Sequence, residues 1–278
     1  MKKILALATA AAAFAISAAC AFGAQQQTPQ KHRKVAVQTY SLNRFSLEES
    51  IEKLKDLGLD GVEIYPGQRL YKEGKQKFGP QMSKADREKV KKMLADANLK
   101  VVSFGVTGAN SERQIEQICE FAKDMGIERV LTESPIGLLP AWNEIGKKYG
   151  VTMCLHHHAK DSRNQWWMPE IMGKYARTYE NVKSNPDVGH WSRCAINPVD
   201  ALKKLDGTIG SVHFKDQKEF GNPKNQPVPF GEGDLDVKGM LKELDRQGYD
   251  GFFVIEYEGE WNNNIPSIRK CVQYLRNN

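Results

Sequence analysis

From residue 35 onward, short runs rich in β-branched and aromatic residues alternate with longer stretches whose apolar residues recur every three or four positions. The short runs predict strands: VAVQTY (35–40), GVEIY (61–65), KVVSFGV (100–106), RVLTES (129–134), VTMCLHHH (151–158), VKSNPDVG (182–189), IGSVHFK (209–215) and FFVIEYE (252–258). The longer ones predict amphipathic helices, among them SLEESIEKLKDLG, SKADREKVKKMLADAN and SERQIEQICEFAKDMG. Ser46 with Glu49 three residues on is a capping box, each side chain satisfying a backbone N–H of the other at the helix start. Ser111 opens the third helix and Gly126 closes it. PVDALKKLDG and LDVKGMLKELDRQGYDG continue the rhythm. Apolar strands each followed by a helix pair in parallel, with the helices covering the sheet. Eight such units without a dinucleotide-binding glycine fingerprint predict one α/β domain over residues 35–278, a closed (β/α)8 TIM barrel. No linker divides it. The longest irregular piece, 216–234, precedes the helix of LDVKGMLKELDRQG and is expected over the barrel mouth.

The N-terminus follows a different pattern. Lys2 and Lys3 precede an uncharged apolar run over 4–19, and small residues follow. This reads as a secretory signal peptide over 1–23, too short and too Ala-rich for a membrane span. Cys20 offers a second outcome, a lipoprotein, although Ser17-Ala18-Ala19 departs from the usual lipobox. Residues 24–34 form a polar leader. The expectation is a periplasmic or secreted protein with no membrane span.

Composition narrows the partners. The 40 Lys and Arg residues exceed the 34 Asp and Glu, but they are spread beside glutamates along the helical stretches. That is a solvated surface rather than a nucleic-acid patch. Cysteines 119, 154, 194 and 271 lack metal-ligand spacing and read as thiols, mostly buried.

Active sites of TIM barrels lie at the C-terminal ends of the strands, and polar residues gather there. Gln38 and Tyr40 end strand 1, Glu63 and Tyr65 strand 2, Glu133 strand 4, and His156 and His158 strand 5. Asp187 and His190 end strand 6, His213 and Lys215 strand 7, Glu256 and Glu258 strand 8. Carboxylates and imidazoles on successive strand ends predict a convergent polar mouth. Asp187, His213 and Glu256 form an oxygen-and-imidazole donor set suited to Mn²⁺, Co²⁺, Zn²⁺ or Mg²⁺. Alternation along LHHH points His156 and His158 to one side and leaves His157 to packing. Trp261 lies near the mouth and can stack on a sugar ring, whereas the pair Trp166-Trp167 reads as helix-core aromatics.

The strings 187-DVGH-190, 211-SVHFKD-216, 229-PFGEGDLD-236 and 253-FVIEYE-258, with 37-VQTYSL-42 and 59-LDGVEIY-65, resemble the sugar phosphate isomerase/epimerase superfamily, the xylose-isomerase-like TIM barrels. The resemblance spans about residues 35–275. It implies that Asp187, His213 and Glu256 bind a divalent metal. Many members supply a fourth ligand, a glutamate, from strand 5, where this chain has His156 in LHHH. Glu133 is the expected replacement, with His156 the alternative. Secretion together with LHHH resembles exported Bacteroides-type enzymes acting on 3-keto-glycosides. The implied reaction is elimination of the aglycone across C1–C2 of a 3-keto-glucoside to give a 2-hydroxy-3-keto-glucal. A divalent metal holding a ketone and its neighbouring hydroxyl would acidify the C–H between them. His156 and His158 would then serve as base and acid, and Lys215 would stabilise the oxyanion. Gln38, Tyr40, Glu63, His190, Glu258 and Trp261 would bind the carbohydrate. A keto-sugar epimerase or isomerase using the same chemistry is the alternative. A catalytically inert sugar-binding barrel and an apurinic-site endonuclease fit less well: the ligand set is intact, and strands 1 to 4 carry no histidine.

Overall fold

A computed structural model describes residues 32–160, 166–224 and 226–278; the signal-peptide reading and most of the leader lie outside them. Its strands are β1 (Lys34–Gln38), β2 (Gly61–Ile64), β3 (Lys100–Thr107), β4 (Arg129–Thr132), β5 (Thr152–His156), β6 (Val182–Asn185), β7 (Val212–Phe214) and β8 (Phe252–Ile255). The helices are α1 (Leu47–Leu54), α2 (Lys84–Asp96), α3 (Glu112–Asp124), α4 (Leu139–Tyr149), α5 (Pro169–Thr178), α6 (Val188–Arg193), α7 (Pro198–Lys204), α8 (Val237–Arg246) and α9 (Ile265–Asn277). The expected caps are present: Ser46 and Glu49 form the reciprocal box, and Ser111 caps α3. Among the described residues no helix is long and apolar enough to cross a membrane.

All ladders are parallel, in the order β6-β5-β4-β3-β2-β1-β8-β7, so the chain forms a (β/α)8 barrel. The seam between β6 and β7 is closed by the isolated bridges Ser184↔Ile209 and Asp187↔His213. One apolar core lies between the strands and the helices. A separate small cluster, Ala36, Val102 and Val254, fills the barrel's interior. Gly61 is required beside it, because a Cβ there would run into Val102 and the Lys100 carbonyl. Two residues along the same strand faces, alternation replaces Ala36 by Gln38, Gly61 by Glu63 and Val254 by Glu256. An apolar interior thus gives way to a polar mouth.

Several strands stop earlier than their apolar runs predict. β6 ends at Asn185 because Pro186 has no N–H for the ladder. The DVGH string is therefore a helix start: Asp187 caps α6, its Oδ1 accepting from the His190 N–H at 2.9 Å. β5 ends at His156, so His157 and His158 lie just beyond the strand.

Candidate active site at the barrel mouth

Four imidazoles and three carboxylates meet where β5, β6, β7 and β8 end, with Glu133 and Glu63 added from the ends of β4 and β2. His213 is at the centre and fully buried. Its Nε2 donates to Glu63 Oε1 at 2.7 Å, while Nδ1 faces Glu256 Oε2 at 3.0 Å and Asp187 Oδ2 at 3.5 Å. Glu63 is itself enclosed, accepting from Gln38 Nε2 at 2.5 Å and from the Ser103 hydroxyl. The structure thus places Glu63 behind His213, one layer below the cleft rather than on its wall. Gln38 also donates to the Gly105 carbonyl at 2.8 Å.

Lys215, almost wholly buried, puts its ammonium 2.6 Å from Glu256 Oε2, 2.9 Å from Asp187 Oδ2 and 3.0 Å from Glu258 Oε2. Burial works against each charge here, but the pairings outweigh it. Lys215 is held well above the usual lysine range by Asp187, Glu256 and Glu258. Asp187 is held well below the carboxylate range by Lys215, His190 and His213, and Glu256 is lowered by Lys215 and His213. His213 is raised by Glu63, Glu256 and Asp187.

His156 is oriented from behind, Nδ1 donating to Asn185 Oδ1 at 2.7 Å, which leaves the Nε2 lone pair for the cavity. Burial, with His213 beside it, pushes it down to about 3, so it is a neutral imidazole near neutrality. His158 lies against His190 with ring centroids 4.2 Å apart, and His190 is kept neutral mainly by burial. His157 faces away: its Nε2 bonds the Trp167 carbonyl at 2.9 Å and its ring packs on Trp191. Trp166 is fully buried and donates to the Ser134 carbonyl, a core aromatic.

The residues present suit a divalent cation. Asp187 Oδ2 and His213 Nδ1 are buried and lack a hydrogen-bond partner, although the Lys215 ammonium lies close to the former. One donor atom each from His156, Asp187 and His213 falls within 4.8 Å of the others. Glu133 Oε1 sits 3.9 Å from His156 Nε2 with its side chain a third exposed, on the outer side of that convergence.

Above this cluster opens a cleft of about 700 Å³, whose walls include Gln38, Tyr40, Glu133, His156, His158, His190, Glu256 and Glu258. The predicted site residues are therefore brought together, except Glu63 beneath and Trp261 at the rim, where its ring meets Tyr40 at 6.1 Å. A larger cavity, about 1000 Å³, lies at the strand starts among Lys34, Lys100 and Phe252 and contains none of these groups. Sequence reading missed Asn185, Ser103 and Arg193, the last donating to His190 Nδ1 at 3.3 Å and lining the cleft. Asn185 had a signal: it lies two residues before Asp187 at the end of strand 6.

Residues 51–278 match the family described as xylose isomerase-like TIM barrel. An inosose dehydratase of Clostridium perfringens is 23% identical over 156 residues, covering 47% of this chain and 46% of the relative. The chain thus spans about half the length of the curated relatives it matches first. A solved protein from Parabacteroides distasonis superposes with a TM-score of 0.71 at 24% identity, covering 88% of this chain and 98% of that one. The 3-keto-D-glucoside 4-epimerase YcjR of E. coli gives 0.66 at 19% identity, covering 88% and 100%.

Proposed function

The chain belongs to the xylose isomerase-like TIM barrel family, and on that footing we propose that it is a divalent-metal-dependent lyase. It would eliminate the aglycone from 3-keto-glucosides across C1–C2 to leave a 2-hydroxy-3-keto-glucal. The observation that carries this reading is the imidazole wall of the cleft: β5 contributes His156, His158 follows just beyond it, and His190 packs on His158. Asp187, His213 and Glu256 would hold the cation, and His156 completes the set more directly than Glu133, because its Nε2 faces the same point. When bound, the cation would supply Lewis-acid polarisation of the 3-ketone, easing loss of the proton at C2.

His158 takes that proton and passes it to the departing aglycone oxygen, acting first as general base and then as general acid. Lys215, kept charged by its three carboxylates, supplies fixed positive charge beside the developing oxyanion. Gln38, Tyr40, His190 and Glu258 line the cleft and bind sugar hydroxyls. Trp261 serves at the rim, and Glu63 acts through His213. The dehydratase relative, whose name denotes an elimination, supports this reaction type. The secretory-type N-terminus supports a substrate met in the periplasm or outside the cell.

A second reading, keto-sugar epimerisation, is favoured by Glu133 and Glu258. They line the same cleft from β4 and β8, which lie four strands apart around the ring and so offer bases to both faces of a substrate. One experiment separates the two. Incubated in D₂O with Mn²⁺-loaded protein, a nitrophenyl 3-keto-glucoside should release nitrophenol. Deuterium uptake beside the ketone with no nitrophenol release would sink the lyase and leave the epimerase. His158→Ala should lower release at least about a hundredfold, the usual scale for a general base.

A further inference from the structure

Among the described residues only two large hydrophobic side chains are exposed, and one of them, Tyr40, stands at the cleft's edge. Its ring meets Tyr65 edge-on at 5.3 Å and Trp261 edge-on at 6.1 Å. These aromatics come from the segments after β2, β1 and β8, which are neighbours in the sheet, so they form one continuous rim opposite the imidazoles of β5 and β6. Aromatics gathered at a cleft, here Tyr40 exposed and Tyr65 and Trp261 half-buried, mark a binding surface, since each offers a broad apolar face at little entropic cost.

Beyond Trp261 lies a second pocket of about 670 Å³, lined by Arg44, Glu260, Trp261, Asn262 and Asn263. The segment carrying Trp261 is fixed in place. Glu260 accepts from the Tyr257 hydroxyl at 3.0 Å and from the Ser267 hydroxyl, and its carbonyl accepts from the Asn263 N–H at 2.7 Å. Asn264, buried, ties the end of the segment to the Ser41 carbonyl at 2.5 Å. Glu260 has φ +46°, a left-handed conformation that side chains disfavour and that such anchoring holds.

The lining has the chemistry of a sugar site. A pyranose presents an apolar C–H face, matched by an aromatic ring, and a rim of neighbouring hydroxyls. A planar guanidinium donates to such hydroxyls in pairs, and carboxamides both donate to and accept from them. Two pockets joined through the Tyr40–Trp261 contact therefore suit a ligand of two linked rings, the first in the cleft and the second beyond the rim. We infer that this aromatic rim and the Arg44–Asn262–Asn263 pocket form a second glycosyl subsite, so that the group leaving C1 is itself a sugar. The inference rests on the lyase reading for the first ring only; the second pocket is independent of the reaction.

The test is a binding titration of the full chain with methyl β-glucoside, cellobiose and maltose, none of which carries the 3-ketone. The unaltered protein should bind at least one disaccharide about tenfold more tightly than methyl β-glucoside, and Trp261→Ala and Arg44→Ala should each erase that preference. Arg44 is exposed, so its variant decides the matter should Trp261→Ala fail to fold. Absence of a disaccharide preference in the unaltered protein, or its persistence in the folded variants, overturns the subsite. A preference without nitrophenol release in the separate lyase assay removes the lyase and keeps the subsite; release without a preference does the reverse.

Discussion

His213 shows how one side chain can serve two layers. Its Nε2–H is committed to Glu63, so Nδ1 is the nitrogen left to face Asp187 and Glu256. As a polar residue ending strand 2, Glu63 is expected from the sequence to bind the carbohydrate. Position along a strand cannot say that Gln38, Ser103 and His213 close over it. Its proposed role is to position His213. Glu63→Gln should lower divalent-metal affinity about 10–100-fold, as loss of a carboxylate behind a ligating imidazole does elsewhere. Competition against a fluorescent chelator measures this, and unchanged affinity would remove Glu63 from the metal's support. His157, by contrast, was legible as packing, because alternation alone turns it from its two neighbours.

Among the elements, the least legible in sequence is the irregular stretch 216–234. It has no period, yet it is held at one point. Asp216, buried, accepts backbone N–H bonds from Gln217 at 2.8 Å, Gly231 at 2.9 Å, Gly233 at 3.1 Å and Leu235 at 3.3 Å. This explains two motifs at once, HFKD and GEGDLD, which are the two halves of one staple. Gly231 adopts φ +83°, and a Cβ at Gly233 would collide with Gln217 O and Asp216 itself. Local sequence shows the glycines but not their partner, fifteen and seventeen residues away. Hydrogen bonds to a charged group contribute roughly 1.5–3 kcal/mol each, and water recovers part of that when the group is removed. Asp216→Ala should therefore cost about 2–4 kcal/mol, read as a lower urea midpoint at unchanged slope. A loss below about 0.5 kcal/mol, the scale of an ordinary surface change, would contradict the staple.

Across the whole molecule, the eightfold strand-helix rhythm carried the barrel, since parallel pairing leaves few other ways to bury both faces of each strand. The site followed from one geometric rule, that strand ends converge. What the rhythm could not show was where the ring would be weakest. The seam between β6 and β7 has isolated bridges in place of a ladder, and one of them joins Asp187 to His213. A cation gripped from both sides would act as a clasp on the barrel. Its binding energy, about 2.7 kcal/mol at a hundredfold excess over Kd, would go into keeping β6 and β7 together. Adding metal should then slow amide exchange across residues 184–187 and 209–213 more than in β3 or β4; uniform slowing would mean that the clasp and the ring are uncoupled. On this view, scavenging of the metal would do more than stop the proposed chemistry: it would open the barrel at its seam and expose it to proteases.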